Sequence, residues 1–219
     1  MFDRVQVIGN GRAGQAIAGR LRERGLTVDN HDPALVILCV PDTAIGTVAG
    51  DVPVGPWVAH VSGATPLSAL SPHVNRFSVH PLQSLVLSRG PEQLDGAFSA
   101  VTAESADGWS RARWLATTLG LTSFDLSDEN RALYHAGAAV ASNYLVTLYR
   151  TASALVAEAG APPEALLPLM RRTMENGFEL TGPIARGDWG TVAAHIDAVH
   201  ARRPDVEPLY RALVEATRT

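Results

Sequence analysis

Three histidines stand near groups that could help them move a proton or orient a carbonyl. His60 lies two residues before Ser62, and His80 follows a short apolar strand pattern. His135 lies on a long helical pattern, eight residues before Asn143. Imidazole titrates near pH 6.5, so it can serve as a general acid or base near neutral pH. These residue types are typical of a site that protonates a carbonyl or imine while its carbon is reduced.

We expect His135 to donate the proton, and Ser62 and Asn143 to orient the reacting group. Arg186 lies in a turn-rich segment, where its guanidinium could hold a substrate carboxylate through two hydrogen bonds. The predicted substrate-binding residues are His60, His80, Gln83 and Arg186. Each assignment has a structural alternative: His135 as a buried hydrogen-bonding residue, Ser62 as the residue that closes a turn, Asn143 as a bond between helices, and Arg186 as a helix cap.

The basic residues narrow the chemistry further. All 18 of them are arginine, and the chain contains no lysine. A Schiff-base lysine, a P-loop lysine and a lysine general acid are therefore excluded. A metal site built from His60, His80 and His135 would lack any short-range ligand spacing, so we predict no metal.

A glycine pattern near the N-terminus indicates a nucleotide site. The strand pattern Arg4 to Ile8 leads into Gly-Asn-Gly-Arg-Ala-Gly, and the helical pattern Gln15 to Arg24 follows. In this context the three glycines permit a tight turn, admit a pyrophosphate and let the helix pack close to the strand. The alternative is a glycine-rich turn with no ligand. The predicted cofactor-binding residues are Gly9, Gly11, Arg12, Ala13, Gly14, Asp29, Pro41 and Asp42.

Asp29 ends the next short strand pattern, where an acid can hold the ribose hydroxyls of NAD. Only residues 30–34 separate it from the strong strand pattern Leu35 to Val40. A parallel crossover normally needs about a dozen residues or more, so the usual helix and strand are missing here. Asp32 is an equal candidate, and both acids could instead serve a turn. We therefore predict NADP or NAD without choosing between them.

The elements that must position these residues form two regions. Strand patterns recur at residues 57–61, 76–79, 97–102 and 122–126, and a helical pattern covers 106–119. They predict an α/β domain over residues 1–126 with a parallel sheet that is shortened after its second strand. We expect ligands at the carboxyl ends of these strands.

A long helical pattern, Ser127 to Gly160, follows the last strand and joins the two regions. Ser127 is a good N-cap, and a bend is expected near Gly137. The apolar face of this pattern consists of Leu133, Val140, Tyr144, Leu148 and Leu155. Later helical patterns at residues 163–176, 189–201 and 204–217 predict an all-α domain over residues 127–219.

Composition limits the classes of partner and compartment. The net charge of −4 offers no basic surface for nucleic acid, and the apolar run near residues 136–149 is too short for a membrane span. The single cysteine, Cys39, excludes an internal disulfide. We expect a cytoplasmic protein without a signal peptide.

Five motifs together resemble a known family: GNGRAG, HVSGA, HPLQS, RALYHAGAAVASNYL and LTGPIARGDWGTVAAHI. They are similar to bacterial proteins that combine a Rossmann-like domain with a DUF2520 domain, within the fold group of 6-phosphogluconate dehydrogenase and pyrroline-5-carboxylate reductase. Some members are described as an alternative class of ketopantoate reductase. The resemblance implies an NAD(P)-dependent oxidoreductase acting on a small 2-oxo acid or imine, and homodimers formed through the C-terminal helices.

Two departures from the fold group keep a second interpretation open. Its β-hydroxyacid dehydrogenases carry a lysine four residues before an asparagine on the long helix, and Ala139 and Asn143 occupy those positions here. The segment after Asp29 is also shorter than in longer family members. The alternative is a non-catalytic small-molecule or nucleotide-binding protein that kept the fold and lost normal dinucleotide binding.

Overall fold

The computed structural model describes residues 1–218, and these residues form two compact units. One consists of Met1–Val140, and the other begins at Ala141. The division falls later than the boundary at residue 126 that the sequence predicts, because the helix that begins at Arg131 anchors its first turn in the first unit through a buried arginine. The boundary at residue 126 stays a prediction.

The first unit contains a seven-stranded sheet within the described chain. Its strands are β1 (Arg4–Ile8), β2 (Thr27–Val28), β3 (Leu35–Leu38), β4 (Trp57–His60), β5 (Arg76–Leu82), β6 (Phe98–Ala103) and β7 (Thr122–Asp125). Its helices are α1 (Arg12–Glu23), α2 (Ile45–Asp51), α3 (Ala106–Thr118) and α4 (Arg131–Ala139). The predicted α/β architecture is confirmed.

The sheet order is β2-β1-β3-β4-β5-β6-β7, and every adjacent pair is parallel except β5 and β6. The predicted parallel sheet is confirmed, with this one antiparallel pair as an exception. The connection after β5 holds only a 3-10 turn, Pro91–Leu94, and no crossover helix that would return the chain to the same direction. An antiparallel neighbour needs no such crossover.

The short segment after Asp29 is explained by the position of β2 at the edge of the sheet. β3 does not pair with β2 but lies on the opposite side of β1, with Leu35 beside Val5. Residues 30–34 thus connect β2 to β3, on the other side of β1, without a helix. β2 itself has only two residues, so residues 6–8 of β1 have no neighbouring strand on the side of β2.

Apolar side chains form a core on each face of the sheet. The larger cluster includes Ile17 of α1 and Leu115 of α3, and both are fully buried. The smaller cluster joins Val36 and Leu38 of β3 to Ile45 and Ala49 of α2. The two clusters hold α1 and α2 on opposite faces of the sheet. Because each helix follows a parallel strand in the chain, both begin near the carboxyl edge of these strands.

The predicted long helix is built from several pieces. A 3-10 turn, Asp128–Asn130, precedes α4, and Ser127 forms no side-chain cap, contrary to the prediction. A π-helical turn, Val140–Tyr144, then leads into α5 (Leu145–Glu158). Gly137, where we expect a bend, lies inside the regular part of α4, and the departure from α-helical geometry comes at the π-helical turn instead.

The second unit is helical. It contains α5, α6 (Leu166–Glu175), α7 (Trp189–Arg202) and α8 (Glu207–Thr217). Asp188 caps α7 by accepting a hydrogen bond from the Thr191 amide. The predicted apolar face of the long helix is largely exposed: 78% of Leu133, 57% of Val140 and 59% of Tyr144 are accessible.

Candidate functional site

The glycine turn joins β1 to α1, and its three glycines meet different surroundings. A Cβ atom at Gly9 would lie 2.3 Å from the carbonyl oxygen of Cys39, and one at Gly14 would lie 1.9 Å from the carbonyl oxygen of Gly9. Gly9 also has a φ of +109°, a conformation that favours glycine. A Cβ at Gly11, by contrast, would meet no atom within 4 Å other than those of the adjoining backbone. Two glycines therefore close the turn, and the third leaves its backbone open.

The N-terminus of α1 offers free peptide groups at the same place. Gly11 is the N-cap residue, and no side chain caps the helix. The first backbone hydrogen bond runs from the Gln15 amide to the Gly11 carbonyl, so the amides of Arg12, Ala13 and Gly14 have no partner within the helix. Free amides at a helix N-terminus bind anions such as phosphate. These residues fit the pyrophosphate of a dinucleotide.

The acid that was expected to hold a ribose has other partners. Nη1 of Arg4 lies 3.1 Å and 2.9 Å from the two carboxylate oxygens of Asp29. The amide of His31 donates a further hydrogen bond to Asp29 Oδ1. Asp32, the equal candidate, has a φ of +45° in the same turn. The Asp29 carboxylate therefore helps to hold this turn.

A second group of side chains lies on one face of β4 and β5. His60 is opposite Ser78 in the register of these strands, and His80 follows two residues later on β5. Because alternate residues of a strand share a face, Ser78 and His80 point to the same side. β5 continues through Leu82, so His80 lies inside the strand rather than after its end, contrary to the sequence interpretation.

Arg131, at the start of α4, connects this group. Its side chain is almost completely buried, and Nε lies 2.5 Å from Oδ1 of Asp128. Nη1 donates to the carbonyl of Ser62, and Nη2 donates to the hydroxyl of Ser78. A buried guanidinium requires a charged partner and several acceptors, and this one has both. The arginine thereby ties the strand ends to α4.

The protonation of His60 follows from its contacts. The amide of Ser62 donates to His60 Nδ1, so Nδ1 carries no proton. Burial, and then the charge of Arg131, lowers the pKa of His60 to about 3, although Asp128 opposes the shift. The ring is therefore neutral near pH 7, and its proton is on Nε2. Nε2 is buried and has no hydrogen-bond partner within residues 1–218.

His80, Tyr134 and His135 form the accessible part of the group. His80 Nδ1 lies 2.7 Å from the hydroxyl of Tyr134, and the centres of the two histidine rings are 6.2 Å apart. Burial, then His135 and Arg131, lowers the pKa of His80 to about 4, while burial raises the pKa of Tyr134 to about 12. His80 is thus neutral and Tyr134 keeps its proton at neutral pH.

Gly63 allows the two histidine rings to converge. A Cβ at this position would lie 2.8 Å from Cε1 of His80 and 2.9 Å from Cδ2 of His135. Any larger residue would have to displace one of the rings. The arrangement holds a neutral, partly buried imidazole beside an exposed one, which can orient a carbonyl and supply a proton.

The other predicted residues have the following surroundings. The Ser62 hydroxyl accepts hydrogen bonds from the amides of residues 64 and 65 and so closes the turn after β4. This is the structural role expected from the sequence as the alternative to a catalytic one. Gln83 is exposed and bonds the Ser84 amide. Pro41 and Asp42 follow β3 and are exposed, and the Asp42 charge raises the pKa of His80 against the stronger lowering effects.

Two predicted residues belong to the second unit. Asn143 lies in the π-helical turn, where its carbonyl accepts a hydrogen bond from the Thr147 hydroxyl. Arg186 donates to the carbonyl of Thr181 within its own turn. Their roles as a carbonyl-orienting residue and a carboxylate ligand stay predictions from the sequence.

Comparison with known proteins identifies the family. A model named "Domain of unknown function (DUF2520)" matches residues 97–217, more than half of the chain. The chain belongs to the DUF2520 family. The predicted resemblance is confirmed. No sequence among curated proteins matches this chain.

Solved structures share the fold of this DUF2520 protein. A Bacteroides fragilis protein with the provisional name NADP oxidoreductase matches with a TM-score of 0.82 and 21% identity, over 99% of this chain and 98% of its own. A Thermotoga maritima protein matches with a TM-score of 0.80 and 23% identity, over 98% and 96%. The 1-pyrroline-5-carboxylate reductase of Streptococcus pyogenes matches with a TM-score of 0.63 and 16% identity, over 98% of each chain.

Sequence reasoning missed three residues of the DUF2520 protein's histidine site: Asp128, Arg131 and Tyr134. Arg131, Tyr134 and His135 are spaced i, i+3 and i+4, which places them on one side of a helix. That spacing was the available signal. The apolar positions of the same helix hide this signal, because they indicate a different buried side.

Within residues 1–218, histidine, cysteine and acidic side chains form no group of three or more that could hold a metal ion. No helix in this part of the chain is both long and apolar enough to cross a membrane.

Proposed function

We propose that this protein is an NAD(P)-dependent oxidoreductase that reduces the carbonyl or imine of a small acidic substrate, with a ketopantoate-like 2-oxo acid as one candidate. One observation carries the proposal: the open glycine turn follows the carboxyl end of β1, and the histidine group lies where β4 ends, in the same sheet. In such sheets the carboxyl edge of the strands is where ligands bind. The names of the structural relatives support the same class of reaction.

The residues of the glycine turn would hold the cofactor. The amides of Arg12, Ala13 and Gly14 would bind its phosphates, and the open backbone at Gly11 would admit them. Bound NADPH or NADH would supply a hydride. Ser62 would contribute by fixing the turn that carries Gly63, rather than by touching the substrate.

The histidine group would orient the substrate and supply the proton. Tyr134 keeps its proton and can donate it to His80 Nδ1, which leaves the His80 proton on Nε2. His80 would then be a neutral hydrogen-bond donor to the carbonyl oxygen. His135, which is exposed and lies against Gly63, would deliver the proton. In this proposal Tyr134 is a positioning residue.

Nucleotide binding is tested with the variant Gly11→Val. Fluorescence titration with NADPH and NADH should give micromolar dissociation constants for the wild type and no binding for the variant. Because a Cβ at residue 11 would meet no atom within 4 Å other than those of the adjoining backbone, the melting temperature should not change. Equal affinity of variant and wild type would refute dinucleotide binding at this turn.

The proton donor is tested with His135→Gln. Single-turnover reduction should slow by about 10² to 10⁴, the usual effect of a positioned acid, while melting temperature and NADPH affinity stay unchanged. The exposed His31, far along the chain from the group, provides the control variant His31→Gln. Full activity of a stable His135→Gln protein would remove this assignment.

The alternative is a binding protein without catalysis. It is favoured by the ion pair between Arg4 and Asp29, which engages the acid that would otherwise hold a ribose. A protein that binds NADPH but oxidises none of it with any 2-oxo acid or imine would support this alternative.

We also propose that the protein is a homodimer formed through its second unit. Within the described part of that unit, the buried apolar residues are Val192, Val199, Val206 and Val214. Many larger apolar side chains remain exposed, including Leu169 at 62%, Phe178 at 73% and Trp189 at 45%. Extensive exposed apolar surface is typical of an interface. A monomer in light scattering at tens of micromolar, well above the dissociation constants of stable dimers, would contradict this proposal.

A further inference from the structure

A cavity of about 640 Å³ lies beside the glycine turn, at the edge of the sheet formed by β2. This volume is within the usual range for small-molecule sites. The residues that line it include Val7, Gly14, Ala18, Arg22, Val28 and Asp29. The cavity thus extends from the phosphate-binding turn down along β1, beside the strand edge that the two-residue β2 leaves uncovered.

The peptide groups of Val7 point to the side of β1 on which this cavity lies, as the hydrogen bonds of the strand indicate. Hydrogen bonds of β1 alternate between its two sides: the carbonyl of Val5 accepts from Asp29 toward β2, and that of Ile8 accepts from Cys39 toward β3. By this alternation the N–H and C=O groups of Val7 point toward β2. The ladder with β2 extends no further than Val5, so within residues 1–218 these two groups have no partner in the ladder.

An unpaired N–H beside an unpaired C=O has a defined chemical complement. Such groups carry a free-energy cost when they are buried without partners, so a ligand that pairs with both gains affinity. A purine with an acceptor next to a donor on one edge matches them, and adenine has this order at N1 and its exocyclic amine. Ala18 and Val28 supply apolar walls, and Arg22, which has no ion pair within the described chain, can stack on the base.

The surroundings of Asp29 favour recognition of the base over recognition of the ribose. Its carboxylate lies in the ion pair with Arg4 and accepts from the amide of His31. Asp29 therefore has less capacity to bind a ribose, and other groups would supply more of the affinity for the adenosine half. We propose that the adenine base of NAD(P)H enters this cavity and is read by the peptide groups of Val7. This inference rests on the proposed function, because it needs the phosphates at the glycine turn.

Three ligands test the inference on the unmodified protein by fluorescence titration: NADH, reduced nicotinamide hypoxanthine dinucleotide, and reduced nicotinamide mononucleotide. Hypoxanthine reverses the order of donor and acceptor, so it leaves both Val7 groups mispaired. We expect its dinucleotide to bind at least about tenfold more weakly than NADH, and the mononucleotide more weakly still. Equal affinity for the adenine and hypoxanthine dinucleotides would overturn the inference.

A variant gives an independent test. Ala18→Leu should fill part of the cavity from the half-exposed side of α1, lowering NADH affinity at least about tenfold and leaving affinity for the mononucleotide unchanged. The control is Ala106→Leu, at an exposed helical alanine of the same unit outside the cavity. Unchanged NADH affinity in a folded Ala18→Leu protein would overturn the inference alone. Failure of the wild type to bind NADH or NADPH would overturn the proposed function as well.

Discussion

We predict that the free energy of unfolding falls when the pH is lowered from about 8 to about 5.5, because the first unit holds two histidines neutral. Burial is the main reason that the pKa of His60 is lowered to about 3 and that of His80 to about 4. Both rings regain a pKa near 6.5 in the unfolded chain. Between these values the unfolded state binds more protons than the folded state.

The sign and size of the effect follow from this difference. Stability rises with pH wherever the unfolded state binds more protons, so it is complete above about pH 6.5 and is lost as the pH falls toward the folded pKa values. About one pH unit below the unfolded pKa, each histidine has lowered the unfolding free energy by about 1.4 kcal/mol. The two together should cost about 3 kcal/mol at this pH.

Urea unfolding at the two pH values, followed by tryptophan fluorescence, measures this loss. The variant His80→Gln removes one of the two groups, so its loss should be about half that of the wild type, near 1.4 kcal/mol. The control His31→Gln alters an exposed histidine and should behave as the wild type does. A wild-type protein with equal stability at both pH values, or an undiminished loss in His80→Gln, would refute the reasoning.

Two further predictions concern the same group. Gly63→Ala should displace an imidazole by roughly 0.5 Å, because the added Cβ would lie 2.8 Å from the ring of His80. Histidine resonances should then shift in NMR spectra, and turnover should fall about tenfold or more. The control Gly46→Ala, whose Cβ would have no contact closer than 3.8 Å, should change neither the resonances nor the turnover. Arg131→Met should lower the unfolding free energy by about 1 to 3 kcal/mol, because the buried Ser78 hydroxyl and the Ser62 carbonyl lose their donor; urea unfolding of a variant as stable as the wild type would contradict this.

The sequence was sufficient wherever the signal is local. The glycine turn could be predicted because the strand, turn and helix that require its three glycines are adjacent in the chain. The observed contacts of Gly9 and Gly14 are of the kind that the pattern requires. Strand positions were also close to correct, because buried strands are continuous apolar runs.

Direction and pairing of strands depended on the rest of the molecule. A short apolar run does not show whether its neighbour is parallel, and only the missing crossover before β6 made that pair antiparallel. Likewise, the spacing of Asp29 suggested a ribose ligand, but its carboxylate pairs with Arg4, 25 residues earlier in the chain. Such pairings cannot be inferred from spacing along the sequence.

The sequence by itself determined which residues could do chemistry, namely the histidines and the glycine turn. It also excluded lysine chemistry, because the chain contains no lysine. The tertiary structure alone decided their states. His60 and His80 are neutral because they are buried and near Arg131, and Tyr134 reaches His80 only because α4 packs beside β5. Protonation depends on desolvation and on charges that folding brings close together. Neither can be inferred from the order of residues along the chain.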